Sequence, residues 1–157
     1  MAATPAVRVL EQGKVLHTLH PYDPEHPSDQ GHGEAAVAAL GADPDQVFKT
    51  LVARVDGALT VAVVPVAGTL DLKALAAATG GRKAVMADPA DAERATGYVL
   101  GGISPLGQKK ALPTVVDDSA LGLDTVLVSA GRRGLQVELA PGDLIRLTRA
   151  RTAAIGR

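Results

Sequence analysis

Read for its alternation of apolar and polar positions, the chain breaks into short elements of two kinds. Thr4-Pro5 is a helix start: a capping hydroxyl, then a proline whose fixed φ suits the first turn. Val7 and Leu10 follow at helical spacing, and Gly13 marks the end. Residues 14–20 alternate as a strand does. Prolines 21, 24 and 27, with Ser28, Asp29 and Gly31, make residues 21–32 a loop. Residues 34–40 read as a helix closed by Gly41, and Asp43-Pro44 opens a short helical turn. Residues 48–55 and 59–66 are strands around Asp56-Gly57, a strong hairpin signal. The second is apolar enough to be buried on both faces. Asp71 caps a helix to Ala78, and Gly80-Gly81 ends it. Residues 82–87 are a short strand, and Asp88-Pro89 caps a helix to about Thr96. Residues 113–116, 124–129 and 135–139 are strands, the last two joined by a turn over 131–134. Pro141-Gly-Asp143 opens a C-terminal helix carrying Leu144, Ile145 and Leu147. Hairpins and helical crossovers together predict a mixed sheet in a single α+β domain spanning 1–157, without linker or repeat.

Composition sharpens this picture at four points. Of the 157 residues, 46% are hydrophobic but only 2% aromatic, so Ala, Val and Leu must fill the core. A net charge of −1 denies any broad electrostatic grip on nucleic acid, so contact with RNA must be local. The absence of cysteine excludes both a disulfide and a thiolate metal site. No basic segment followed by an apolar run opens the chain, and no run of about 18 apolar residues occurs. A soluble cytoplasmic protein without a membrane partner is therefore expected. Oligomeric state is not specified by these features.

The least ordinary stretch is 94–110, with four glycines, Pro105, Thr96, Tyr98, Ser104 and the pair Lys109-Lys110. Paired glycines at 101 and 102 let a backbone approach a bound group, and their N–H groups are suited to an oxyanion or phosphate. A tight connection between strands explains the same residues, and spacing leaves both readings open. Two known patterns fail. Gln108 and Lys109 stand where a phosphate-binding loop needs Lys and then Ser or Thr. Leu106 stands where a hydrolase nucleophile elbow needs glycine, and Pro105 follows the serine.

Lys49 lies in the strand 48–55 and points away from Phe48 and Thr50, because strand side chains alternate. A solvent-facing lysine is the plain reading. Ser104 has no His–Asp pair nearby in sequence and reads as a turn residue. Ser129 ends a strand before a glycine turn. Phe48 and Tyr98, two of only three aromatics, flank the two candidate elements. Either is an expected stacking platform for a base, set against simple core packing. His17, His20, His26 and His32 form no converging ligand pattern, so no metal or other cofactor is expected. Three basic pairs, Arg82-Lys83, Lys109-Lys110 and Arg132-Arg133, are each a solvated face or a phosphate grip.

The stretch Gly97-Tyr98 followed by Gly-Gly-Ile-Ser-Pro-Leu-Gly-Gln-Lys-Lys resembles the signature of the YbaK-type Cys-tRNA(Pro) deacylases. These are free-standing relatives of the prolyl-tRNA synthetase editing domain. The resemblance continues at Pro44-Asp-Gln-Val-Phe-Lys-Thr50, at Pro65-Val-Ala-Gly-Thr-Leu-Asp-Leu72, at Met86-Ala-Asp-Pro89 and at Val128-Ser-Ala-Gly-Arg-Arg-Gly134. Together these segments cover nearly the whole chain in the family's order.

The resemblance implies a curled, barrel-like mixed sheet flanked by helices, with the site on one side. It implies trans-editing: removal of cysteine from mischarged Cys-tRNA(Pro), with the substrate's own thiol attacking its ester and leaving a thiolactone. It makes Lys49 the residue tied most closely to activity, holding the RNA end. Gly101 and Gly102 orient the carbonyl, and Phe48, Thr50, Tyr98, Ser104, Ser129 and Gln136 line the substrate. The implied partners are the tRNA(Pro) acceptor end and prolyl-tRNA synthetase. Two departures stand out. Gln136 occupies a position that can be aspartate in the family, and Leu19-His20 stands where tyrosine often follows His-Thr. The competing readings are a non-catalytic tRNA- or synthetase-binding module and a deacylase for another amino acid, such as alanine on tRNA(Pro).

Overall fold

Three apolar seams, made almost wholly of Ala, Val and Leu, hold the layers of this protein together. The computed structural model describes residues 3–24 and 32–157. His26 and the centre of the 21–32 loop lie outside the described residues. In chain order the elements are α1 (Pro5–Gln12), β1 (His17–Pro21), α2 (His32–Leu40), β2 (Phe48–Val55), β3 (Ala58–Pro65), α3 (Leu72–Ala78), β4 (Ala84–Met86) and α4 (Pro89–Thr96). They continue with β5 (Thr114–Asp117), a 3₁₀ turn (Asp118–Gly122), β6 (Val126–Arg132), β7 (Leu135–Leu139), α5 (Pro141–Thr148) and β8 (Arg151–Ala153).

The expected α+β arrangement is present, but the sheet is divided. One part is three-stranded, in the order β1-β7-β6, and the other five-stranded, β4-β2-β3-β5-β8. They meet at a parallel bridge between Val47 and Leu127, and no closed barrel forms among the described residues. The hairpin β2–β3 turns on Asp56 (φ 49°) and Gly57 (φ 87°), the pair of positive φ values that a two-residue turn needs. β3 is central, paired on both edges, and Thr60 to Val64 are buried, as its apolar run implies.

Alternation along the strands sorts the faces. From β6 and β7, Val126, Val128, Ala130, Leu135, Val137 and Leu139 join the main core, against Ala6, Val7 and Leu10 of α1. Their neighbours Leu127, Ser129, Gln136 and Glu138 point to the opposite face. On β2, Phe48 and Val52 belong to the main core, so Lys49 points away from it. Val37 and Leu40 of α2 pack on Val47, Val66 and Leu127, covering the junction between the sheets.

Helix starts follow the sequence closely. Thr4, Asp71 and Asp88 each accept a backbone N–H from the first turn of their helices. The end of α1 departs from expectation. Lys14, not Gly13, takes the left-handed conformation (φ 52°), and the Val15 N–H reaches Leu10 O. That wrap consumes residues 13–15, so β1 begins at His17 rather than Lys14. β8 was absent from the pattern reading, because Arg-Thr-Ala carries no period. It forms because the edge of β5 is open, and it pairs there in parallel.

The segment after β8 is locked by Asp117. Its Oδ1 accepts the N–H groups of Ile155 (3.0 Å) and Gly156 (2.8 Å), and Oδ2 accepts the Ser119 hydroxyl (2.6 Å). Burial pushes its carboxyl up, but the bonds from Ser119, Gly156 and Ile155 outweigh that and hold it below the ordinary carboxylate range. A depressed folded-state value gives stability that is present above the unfolded value and lost as pH falls through the folded one. Asp117→Ala is therefore expected to cost about 3 kcal/mol at neutral pH, measured by urea unfolding. The loss should shrink below about pH 4, where the wild-type carboxyl also protonates on unfolding. A loss that stays constant down to pH 2 would contradict this account.

Candidate functional site

The bridge between Val47 and Leu127 organises the outer face. The strands run in parallel there, so Lys49 and Ser129 each lie two residues beyond it and project from the same face. Ser129 is paired with Gln136 across β6–β7, and Gln136 with His20 across β7–β1. One face thus carries an ammonium, a hydroxyl, an amide and an imidazole. Lys49 is half-buried and opens on a cleft of about 650 Å³ whose lining includes Glu34, Pro44, Val66, Gly68 and Arg157. Arg157 was not singled out from sequence. Its backbone exchanges two hydrogen bonds with Thr69, and its carbonyl oxygen lies 2.7 Å from where a Cβ on Gly68 would stand.

The glycine turn closes over the end of this sheet. Gly102 N–H donates to Val99 O at 2.9 Å, with Gly101 at φ 87° between them. Ser129 Oγ donates to Gly102 O at 3.0 Å and accepts the Gly131 N–H at 3.1 Å. A Cβ at Gly102 would stand 2.9 Å from Arg132 Cα, so only glycine lets the turn rest on the β6–β7 hairpin. The Gly101 N–H has no acceptor among the described residues. The expectation that both glycine amides are donors is thus corrected: Gly102 closes the turn internally, and Gly101 alone is available.

Gln136 is 6% exposed, and its Oε1 has no hydrogen-bond partner among the described residues. An unpaired buried amide oxygen costs about 1–3 kcal/mol, so this atom is poised for a donor. Beside it, His20 Nε2–H donates to Glu138 Oε1 at 2.8 Å, and the Thr125 hydroxyl donates to Glu138 Oε2. Gln46 Nε2 donates to Thr125 Oγ1 at 3.0 Å, tying this network to the turn that enters β2. The Thr125 bond, then the His20 bond, holds the Glu138 carboxyl below the ordinary range. The network escaped the sequence reading, since its four members are spread from His20 to Glu138 with no common spacing.

Four expected substrate contacts are placed elsewhere. Phe48 is 2% exposed within the main core. Tyr98 is 4% exposed, and its hydroxyl donates to Leu106 O at 2.6 Å. Burial pushes the Tyr98 phenol up to about 12, only partly countered by the Ala6 backbone. Neither ring has a free face for a base. Ser104 is fully buried and accepts the Leu106 N–H at 3.1 Å, so it is a turn residue. Thr50 shares the core face with Phe48, and its buried hydroxyl has no partner among the described residues.

Tyr98→Phe is expected to lower stability by about 1 kcal/mol, the value of one buried hydrogen bond, while leaving substrate KM unchanged. Thermal unfolding and steady-state kinetics on the same preparation check both halves. A raised KM at unchanged stability would return Tyr98 to the binding surface.

Comparison with known proteins places the fold and the family. A family model described as an aminoacyl-tRNA editing domain matches residues 29–147. A protein of Enterococcus faecalis, provisionally named a Cys-tRNA(Pro)/Cys-tRNA(Cys) deacylase, is 40% identical over 154 residues, which is 97% of this chain and 92% of that one. A solved structure described provisionally as a trans-editing enzyme for prolyl-tRNA synthetase matches with a TM-score of 0.82 and 26% identity, over 100% of this chain and 99% of the other. A further structure, of a hypothetical protein, matches with a TM-score of 0.84 over 98% and 99% of the chains; at 23% identity it bears on the fold alone. The chain belongs to the aminoacyl-tRNA editing domain family.

Proposed function

We propose that this protein is a trans-editing deacylase that removes cysteine from mischarged Cys-tRNA(Pro). The observation that carries the reading is the unpaired Oε1 of buried Gln136 beside Ser129, on the face that also bears Lys49. A substrate α-ammonium supplies the missing donor, and a neutral amide accepts it without charge. The Gly101 N–H then faces the ester carbonyl, and the Lys49 ammonium holds the terminal phosphate or steadies developing negative charge. Ser129 keeps the turn in place through its bond to Gly102 O.

Cysteine and proline are close in volume, and apolar pockets separate such side chains by only about 1–3 kcal/mol. A second site is the remedy. In the proposed step the substrate thiol attacks its own ester carbonyl carbon. The C–S bond forms, the C–O bond to the ribose breaks, and the thiol proton passes to the departing ribose oxygen. The product is a thiolactone, and no oxidant or reductant is required. The protein's contribution is to fold the substrate into a reactive geometry, worth up to several orders of magnitude. Such an enzyme works in the cytoplasm alongside translation, where prolyl-tRNA synthetase is the natural source of charged tRNA(Pro).

Two measurements test this. Lys49→Ala should lower kcat/KM for Cys-tRNA(Pro) by about 100-fold or more while uncharged tRNA still binds. In a panel of Cys-, Ser-, Ala- and Pro-charged tRNA(Pro), cysteine should be released rapidly and serine, which lacks the thiol, hardly at all. Equal rates on Cys and Ser would remove the thiol from the mechanism. Release of Ala alone would reassign the substrate.

A further inference from the structure

We infer that the Val99–Gly102 turn and the two basic pairs beside it form one RNA-docking surface for the acceptor end. This deepens the deacylase reading and rests on it for the identity of the RNA. In a chain of net charge −1, the fold gathers four cations around one turn. On one side, Lys109 N–H and Lys110 N–H donate to Thr96 O (2.9 Å) and Ala95 O (3.1 Å), pinning that pair to the end of α4. On the other, Gly102 abuts the Arg132 backbone, and Arg133 Nε and Nη2 donate to Leu100 O at 3.3 and 3.2 Å. All four side chains are exposed, and none enters an ion pair among the described residues.

The turn between them presents apolar surface to solvent. Val99 is 60% exposed and Leu100 41%, although both stand on rigid backbone. Leu100 N–H donates to Glu93 Oε2 at 2.8 Å, and Val99 O accepts from Gly102. Phe48 and Tyr98 are buried, whereas these two exposed apolar side chains immediately precede Gly101. Phosphates fit the lysines and arginines, and the face of the terminal base fits Val99 and Leu100. The third basic pair has no contact with the Val99–Gly102 turn among the described residues. Asp56 holds the N–H groups of Arg82 and Lys83 at 3.0 Å each, at the hairpin tip. That tip lies roughly 20 Å along β2 from Lys49.

The test is the salt dependence of binding to uncharged tRNA(Pro), read by fluorescence anisotropy. Four phosphate contacts predict a slope of log K against log salt of about −3. Lys109→Gln with Lys110→Gln, and separately Arg132→Gln with Arg133→Gln, should each reduce its magnitude by about 1.5. Arg82→Gln with Lys83→Gln should leave it unchanged. Because Arg133 also braces Leu100, the lysine pair carries the cleaner result. Val99→Ser should raise KM for charged tRNA at unchanged kcat. Unchanged slopes in both basic variants would overturn the inference, as would a slope carried by Arg82 and Lys83. Tight binding of a synthetase, with no measurable binding of free tRNA, would also overturn it and make the surface a protein contact. Altered slopes together with a failed deacylation panel would sink the deacylase reading alone.

Discussion

The contact between Gly102 and the β6–β7 hairpin is the constraint on which the rest of the site depends. Arg132 Cα stands 2.9 Å from where a Cβ would be, and the Ser129 hydroxyl grips Gly102 O. That grip sets the height of the turn above the sheet, and so the direction of the Gly101 N–H. The same hairpin supplies Gln136, and its second strand pairs along its length with β1, which supplies His20. A shift of the turn by even one ångström would move the Gly101 N–H relative to Gln136. A close-packed interior passes such shifts on rather than absorbing them.

Placing Lys49 on the same face takes a different device. β2 belongs to the five-stranded sheet and β6 to the three-stranded one. Their alignment comes from the parallel bridge at Val47 and Leu127, reinforced by Leu127 N–H donating to Gln46 O at 3.0 Å. Val37 and Leu40 of α2 cover that junction with apolar surface. The Gln46–Thr125–Glu138–His20 chain of hydrogen bonds spans the same seam on its polar side. The site is therefore built across two sheets whose separation would dissolve it. This explains why polar groups are invested in the seam instead of further apolar packing.

The polar groups of this face are largely engaged with one another. No described side chain on this face pairs a serine with a histidine base: Ser129 is engaged with Gly102 and Gly131, and His20 with Glu138. What is left without a partner among the described residues is the buried Gln136 amide oxygen, the Gly101 N–H and the Lys49 ammonium, and of these Lys49 lines the cleft. Those are groups that bind and orient.

Much of this was legible in the residues. The caps at Thr4, Asp71 and Asp88, the Asp56-Gly57 turn and the bounds of β2, α3, α4 and β7 follow from local chemistry, because each is decided within four or five residues. The side of β2 on which Lys49 lies is likewise fixed by a period of two. Which face of the molecule that side becomes is not, because it depends on a bridge between Val47 and Leu127, 80 positions apart. Nor could local pattern tell that Tyr98 turns inward to Leu106 O, that Gly102 has already used its N–H, or that one basic pair is held at the β2–β3 hairpin tip. The sequence by itself determined the elements and the chemical groups they carry. Only the tertiary structure decided which of those groups share a surface and which already have partners, because that depends on contacts between segments distant along the chain.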